Sequence, residues 1–91
     1  MAKFSLARQL TGKKVITNEG EEFGRLVDVN INELNGKIEE LIVEPNPENK
    51  SAESLIGDEG YIMCPYDAVL AVGDFIIVEK RTLGSSSGPS V

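Results

Sequence analysis

Ninety-one residues fit one domain, and a chain this short buries too little apolar surface to hold two cores. Fifteen acidic residues against nine basic leave a net charge of -6, which repels phosphate backbones and anionic headgroups, so nucleic acid is not expected as a partner. A single cysteine excludes an internal disulfide, and no apolar run approaches the roughly 20 residues of a membrane span. The first residues, MAKFSLARQL, hold no apolar stretch long enough for a secretory signal, so the expected location is cytoplasmic, without direct membrane insertion.

In chain order, FSLARQL (4–10) offers one or two helical turns, and KKVIT (13–17) is a short β-rich run that stops at Asn18 and Gly20. GRLVDVNINELNGKIEELIVEP (24–45) alternates apolar and polar residues on both sides of Asn35-Gly36, the pattern of a β-hairpin. A two-residue turn would set Val27 opposite Glu44. A three-residue loop, Leu34 to Gly36 with Gly36 left-handed, sets Val27 opposite Val43, Val29 opposite Leu41 and Glu33 opposite Lys37. The second register gathers apolar residues on one face and is preferred. Its other face then carries Leu26, Ile38 and Ile42 beside Asp28, Asn30 and Glu40, more apolar than a wetted sheet face should be.

PNPENKSAESLIGDEG (45–60) is read as an exposed loop anchored by Leu55 and Ile56. YIMC (61–64), VLAV (69–72) and FIIVEK (75–80) are further short strands, and in the last of them Phe75 and Ile77 are expected inward with Ile76 and Val78 outward. GSSSGPSV (84–91) has the composition of a flexible tail, which places the domain at 1–83. Short strands at even spacing predict an all-β fold, a small closed or nearly closed barrel of five to six antiparallel strands.

The chemistry is marked by absences. Without histidine, the commonest general base, the His-dependent triads and most zinc sites are missing. Cys64 sits between Met63 and Pro65 with no base in sequence reach, and the glycines stand singly at turns and strand ends instead of forming a phosphate loop. Asp28, Asn30, Asn32 and Glu39 fall at positions 1, 3, 5 and 12 of a calcium-loop pattern, but Glu33 stands where that loop needs glycine, and every second residue is simply the polar side of a strand. No catalytic residue, cofactor or metal site is therefore expected. The outward Ile38, Ile42, Ile76 and Val78 are instead the candidate protein-interaction residues, and an exposed patch of that kind predicts a homodimer or higher assembly.

LTGKKVITNEGEEFGRLVDVNI (10–31), LNGKIEELIVE (34–44) and IMCPYDAVLAVGDFIIVE (62–79), in that order, resemble the PRC-barrel domain family, which includes the barrel of the photosynthetic reaction centre H subunit and the carboxyl-terminal domain of the ribosome maturation factor RimM. The resemblance covers nearly all of the chain before the tail. It assigns Gly24 and Asp28 to the Gly-x-x-x-Asp of the second strand, Gly36 to the hairpin and Pro65-Tyr66 to the turn before the last strands. With no second domain or anchor, the pattern is similar to stand-alone archaeal members. The resemblance then implies a non-enzymatic adaptor in FtsZ-based archaeal cell division, acting through a SepF-type membrane anchor. The alternative it carries is a RimM-like, RNA-associated factor of ribosome maturation.

Overall fold

In the computed structural model, which describes residues 8–86, the strands are β1 (Lys14–Thr17), β2 (Glu22–Ile31), β3 (Ile38–Pro45), β4 (Ile62–Pro65), β5 (Val69–Val72) and β6 (Ile76–Val78). Most strands stop at a turn former: Asn18 follows β1, Asn32 follows β2, Pro45 and Pro65 end β3 and β4, and Gly73 follows β5. They form one sheet in the order β4-β3-β2-β1-β6-β5. The all-β class holds, with two corrections. The pairing of β1 with β6 is parallel, because the chain travels around the whole sheet before β6 arrives beside β1. The sheet is also not closed, and β4 and β5 are its two ends.

Those two ends are joined only by a short 3-10 turn, η1 (Tyr66–Ala68). Pro65 and Val69 therefore lie within about 14 Å, the reach of four extended steps, and the sheet must curl until its ends nearly meet. One face of that curl holds a single core drawn from most of the elements: Val15, Phe23, Leu26, Leu41, Val43, Ile62, Cys64, Ala68, Ile76 and Val78 are all buried in it.

Register explains which side chains reach this core. Val29 does lie opposite Leu41, as the preferred register predicts, but Leu26 and not Val27 pairs with Val43, and Asp28 pairs with Ile42. Val27 is an extra residue, a β-bulge, and a bulge shifts the side-chain alternation by one. It turns Leu26, expected on the outer face, into a fully buried core residue. A second irregularity on β3, where Asn30 pairs with Glu40 but Ile31 with Ile38, leaves Ile38 half-buried and packed on the core.

The hairpin loop also differs from the expectation. Asn32 N–H donates to Lys37 C=O at 2.8 Å, so the loop spans four residues, 33–36, and Glu33 lies inside it instead of opposite Lys37. The Asn32 side-chain oxygen accepts from the N–H groups of Leu34 and Asn35, which winds the chain into a turn before it reverses at Gly36, whose φ of 72° is the left-handed conformation predicted.

The long connection contains a helical turn, α1 (Lys50–Glu53), capped by Asn49, whose side chain accepts from Ala52 N–H. The buried Ala52 and the packed Leu55 anchor it, while Ile56 is exposed. Asn46 and Asn49 both donate a side-chain N–H to the Glu22 carbonyl, at 3.0 and 3.1 Å, tying this loop to the start of β2. Residues 8–10 are helical and bury Leu10. The rest of the expected N-terminal turn, 4–7, lies outside the described residues.

A final helix, α2 (Lys80–Ser86), buries Leu83 and extends three residues into the segment read as tail. Residues 87–91 lie outside the described residues.

Candidate interaction surface

The four apolar residues assigned to a partner surface separate into three environments. Ile76 and Val78 are fully buried. The expected orientation of β6 was inverted because its register follows β1: Ile76 lies beside the buried Val15 and Val78 beside the buried Thr17, and laterally paired residues share a face. Ile38 packs half-buried on the core. Ile42 alone belongs to the outer face, half-buried, where it pairs with Met63 of β4 on one side and Asp28 of β2 on the other.

Strand period extends this outer patch. Ile62 and Cys64 are buried, so Met63 and Tyr61 point the opposite way, and both are exposed, Met63 at 41%. Next to Ile42 on the same face, Asn30 donates to the Glu40 carboxylate at 2.9 Å. The surface is thus a narrow apolar strip, Tyr61, Met63 and Ile42, bordered by Asp28 and the Asn30–Glu40 pair. Met63 could have been found from the period-2 alternation of YIMC, but only knowledge of the β3–β4 pairing joins it to Ile42.

A second apolar region, at the other end of the sheet, was missed by the sequence reading. On β5 and the turn that follows it, Leu70, Val72 and Phe75 are 55%, 46% and 47% exposed. The run VLAV looks like a core strand, and its exposure follows from its place at the sheet edge.

The polar groups singled out from the sequence are engaged with the backbone or with each other. The Asp28 carboxylate accepts from Val29 N–H at 2.8 Å, beside the Val27 bulge, and Asn32 donates to Glu39 at 2.9 Å across the hairpin. Among the described residues no group of three or more His, Cys, Asp or Glu side chains converges as a metal site would. Gly24, the first residue of the Gly-x-x-x-Asp pattern, lies against the Glu44 backbone and the Val43 side chain of β3.

Cys64 is buried, and its thiol donates to the Pro65 carbonyl at 3.6 Å. Burial, reinforced by the neighbouring Glu40 charge, pushes its pKa up to about 12, the reverse of what a nucleophilic cysteine requires.

The best-organised charge cluster is at the junction of β1, β2 and α2. Lys80 Nζ lies 2.7 Å from Glu21 and 3.5 Å from Glu19, and the Lys80 N–H donates to the Asn18 side chain at 3.0 Å. The hydrogen bond to Glu21, with the attraction of both carboxylates, holds the Lys80 ammonium above its ordinary pKa despite some desolvation. It fastens the start of α2 to the β1–β2 turn and uses up the charge, so it is structural.

No helix among the described residues is long and apolar enough to cross a membrane. Comparison with curated proteins finds none that matches the chain. The family model described as PRC-barrel domain matches residues 3–83. The curled six-stranded sheet and this match over most of the 91 residues agree: the chain belongs to the PRC-barrel domain family, a membership that points to a small protein-interaction module.

Proposed function

We propose that this protein is a non-enzymatic adaptor that works in the cytoplasm, self-associates, and joins the FtsZ-based division machinery of an archaeal cell by binding the soluble domain of a SepF-type anchor. The observation that supports a protein-binding role is the apolar strip of Tyr61, Met63 and Ile42 on the outer face of β3 and β4, where burial against another chain would remove apolar surface from water. The division partner is suggested by the resemblance of the motifs to archaeal members of the family. A net charge of -6 argues against the ribosome-associated alternative, since RNA binding draws on basic stripes and stacking aromatics.

Calorimetry against the host's SepF-type domain tests this reading. Wild type is expected to bind, and Ile42→Asp to weaken the complex by about 1 kcal/mol or more, because a desolvated carboxylate is left unpaired. Glu48→Gln, at an exposed loop position, should bind like wild type. Absence of heat and of co-elution with wild-type protein rejects the division partner. Equal affinity of a folded Ile42→Asp variant rejects the strip as the binding site.

A further inference from the structure

Among the described residues β5 has one strand neighbour, β6, and ends the sheet, so no described strand pairs with the backbone N–H and C=O groups of its outer edge. Natural edges are blunted by short length, β-bulges, lysine, proline or inward charge, and β5 relies on the first two, being four residues long with one irregularity. β4, the opposite edge, ends in Pro65, whereas Val69-Leu70-Ala71-Val72 carries no lysine, proline or charge. The edge is also apolar, through the exposed Leu70, Val72 and Phe75.

Charge identifies what would cover it. Asp67 stands just before β5 and Asp74 just after it, both exposed, and residues 66–79 contain three acids and no lysine or arginine. A second copy fits poorly. Two-fold antiparallel pairing centred between Leu70 and Ala71 sets Val69 against Val72 and brings the Asp67 end of each copy toward the Asp74 end of the other, gathering like charges at both ends. The C-terminal GSSSGPSV supplies no base either.

We propose that the β5 edge is a docking site for an extended segment of a partner protein, which adds as a further strand and carries apolar residues at alternate positions with a lysine or arginine at each end. Main-chain pairing would supply adhesion, Leu70, Val72 and Phe75 the apolar contacts, and Asp67 and Asp74 the choice of ends. The site differs from the Ile42–Met63 strip in using the backbone edge of β5 instead of side chains of β3 and β4, and it goes beyond the adaptor reading by giving the domain a second point of attachment.

Selection of displayed random peptides of about ten residues on the full-length protein tests it directly. The expected consensus has β-branched or other apolar residues at every second position between terminal bases. A synthetic peptide of that consensus should slow amide exchange in β5, and should bind about fivefold or more weakly to Asp74→Lys and to Asp67→Lys, both at exposed positions that leave the fold intact. The same peptide with glutamate at both ends should lose about tenfold, and Ile42→Asp should bind it like wild type, which separates this test from that of the division partner.

The proposal is overturned if no peptide is enriched, if the consensus lacks terminal bases, if the Asp variants bind unchanged, or if protection falls on β3 and β4. It is also overturned if binding emerges only after removal of residues 1–7, because Phe4 and Leu6 stand between Lys3 and Arg8 and that segment would then be the occupant.

Discussion

Gly24→Ala is the substitution that most directly tests the packing of this sheet. Gly24 lies in β2, between Val15 of β1 and Pro45 of β3, and it is buried. A methyl group added there would fall inside the van der Waals envelope of the Glu44 carbonyl oxygen, 2.8 Å from Val43 Cγ1 and 3.0 Å from the Glu44 carbonyl carbon. The nearest obstacle is backbone, so no side-chain rotation relieves it, and β2 and β3 must separate at the Gly24–Pro45 end of their pairing. Overpacking typically costs about 1 to 3 kcal/mol, and a backbone obstacle belongs at the upper end or above it. Alanine's lower unfolded-state entropy returns only about 0.5 to 1 kcal/mol. The net loss should be about 2 kcal/mol, which lowers the Tm of a domain this size by roughly 8 to 16 °C. The assay is urea and thermal unfolding followed by circular dichroism. Gly73→Ala is the control, because a Cβ at Gly73 meets nothing within 4 Å and the substitution should change stability by less than about 0.5 kcal/mol. Equal midpoints for Gly24→Ala and wild type would refute the close β2–β3 approach at this point.

Gly36→Val should cost about 1 to 3 kcal/mol, because a β-branched residue is strained at a φ of 72°, and an unchanged urea midpoint would mean that the loop reverses differently. Cys64 should resist an aromatic disulfide reagent at pH 8 in the native protein and react only when urea unfolds it; rapid native reaction would contradict its burial. The same residue sets a pH dependence. Its thiol ionises near 9.0 when unfolded but only near about 12 when folded, so its contribution is complete below pH 9 and is lost as pH rises toward 12. In that window wild-type stability should fall by about 1.4 kcal/mol per pH unit more steeply than that of Cys64→Ala. Light scattering at micromolar concentration should give a dimer or larger species that Ile42→Asp shifts toward monomer, whereas a strictly monomeric wild type would remove self-association from the proposed function.

What could be read from the sequence was local, and what could not was relational. Asn35-Gly36 and its flanking alternation located the hairpin, because a left-handed glycine and a period of two are properties of neighbouring residues. The bulge at Val27 has no such mark. GRLVDVN alternates without interruption, and the extra residue becomes visible only when Leu26 and Asp28 are matched to Val43 and Ile42. The orientation of β6 failed for the same reason: FIIV is apolar at every position, so its period cannot choose a face, and the choice is made by pairing with β1 sixty residues earlier. α2 was missed because only one apolar residue, Leu83, faces the core from a segment otherwise polar or small. The sequence reading consequently named four outward residues of which Ile42 keeps that role, and it overlooked Leu70 and Val72 because an edge strand and a core strand can have the same composition.

The open curl itself bears on how such a domain can act as an adaptor. In a closed barrel every strand has two neighbours, and a partner can reach only side chains and loops. Here the three-residue η1 joins the end strands without pairing them, so the fold keeps a continuous core while no described strand covers the outer edge of β5. Ala68, buried in η1, accepts a hydrogen bond from Glu79 N–H, which ties this turn to the residue after β6. An adaptor must hold two things at once, and the two apolar surfaces fall on β4 and β5 at opposite ends of the sheet order. One is a side-chain strip flanked by a satisfied polar pair and the other a backbone edge flanked by acids, so different chemistries would select their partners. A charge change at Asp74 should alter one attachment without the other, and a charge placed at Ile42 should do the converse.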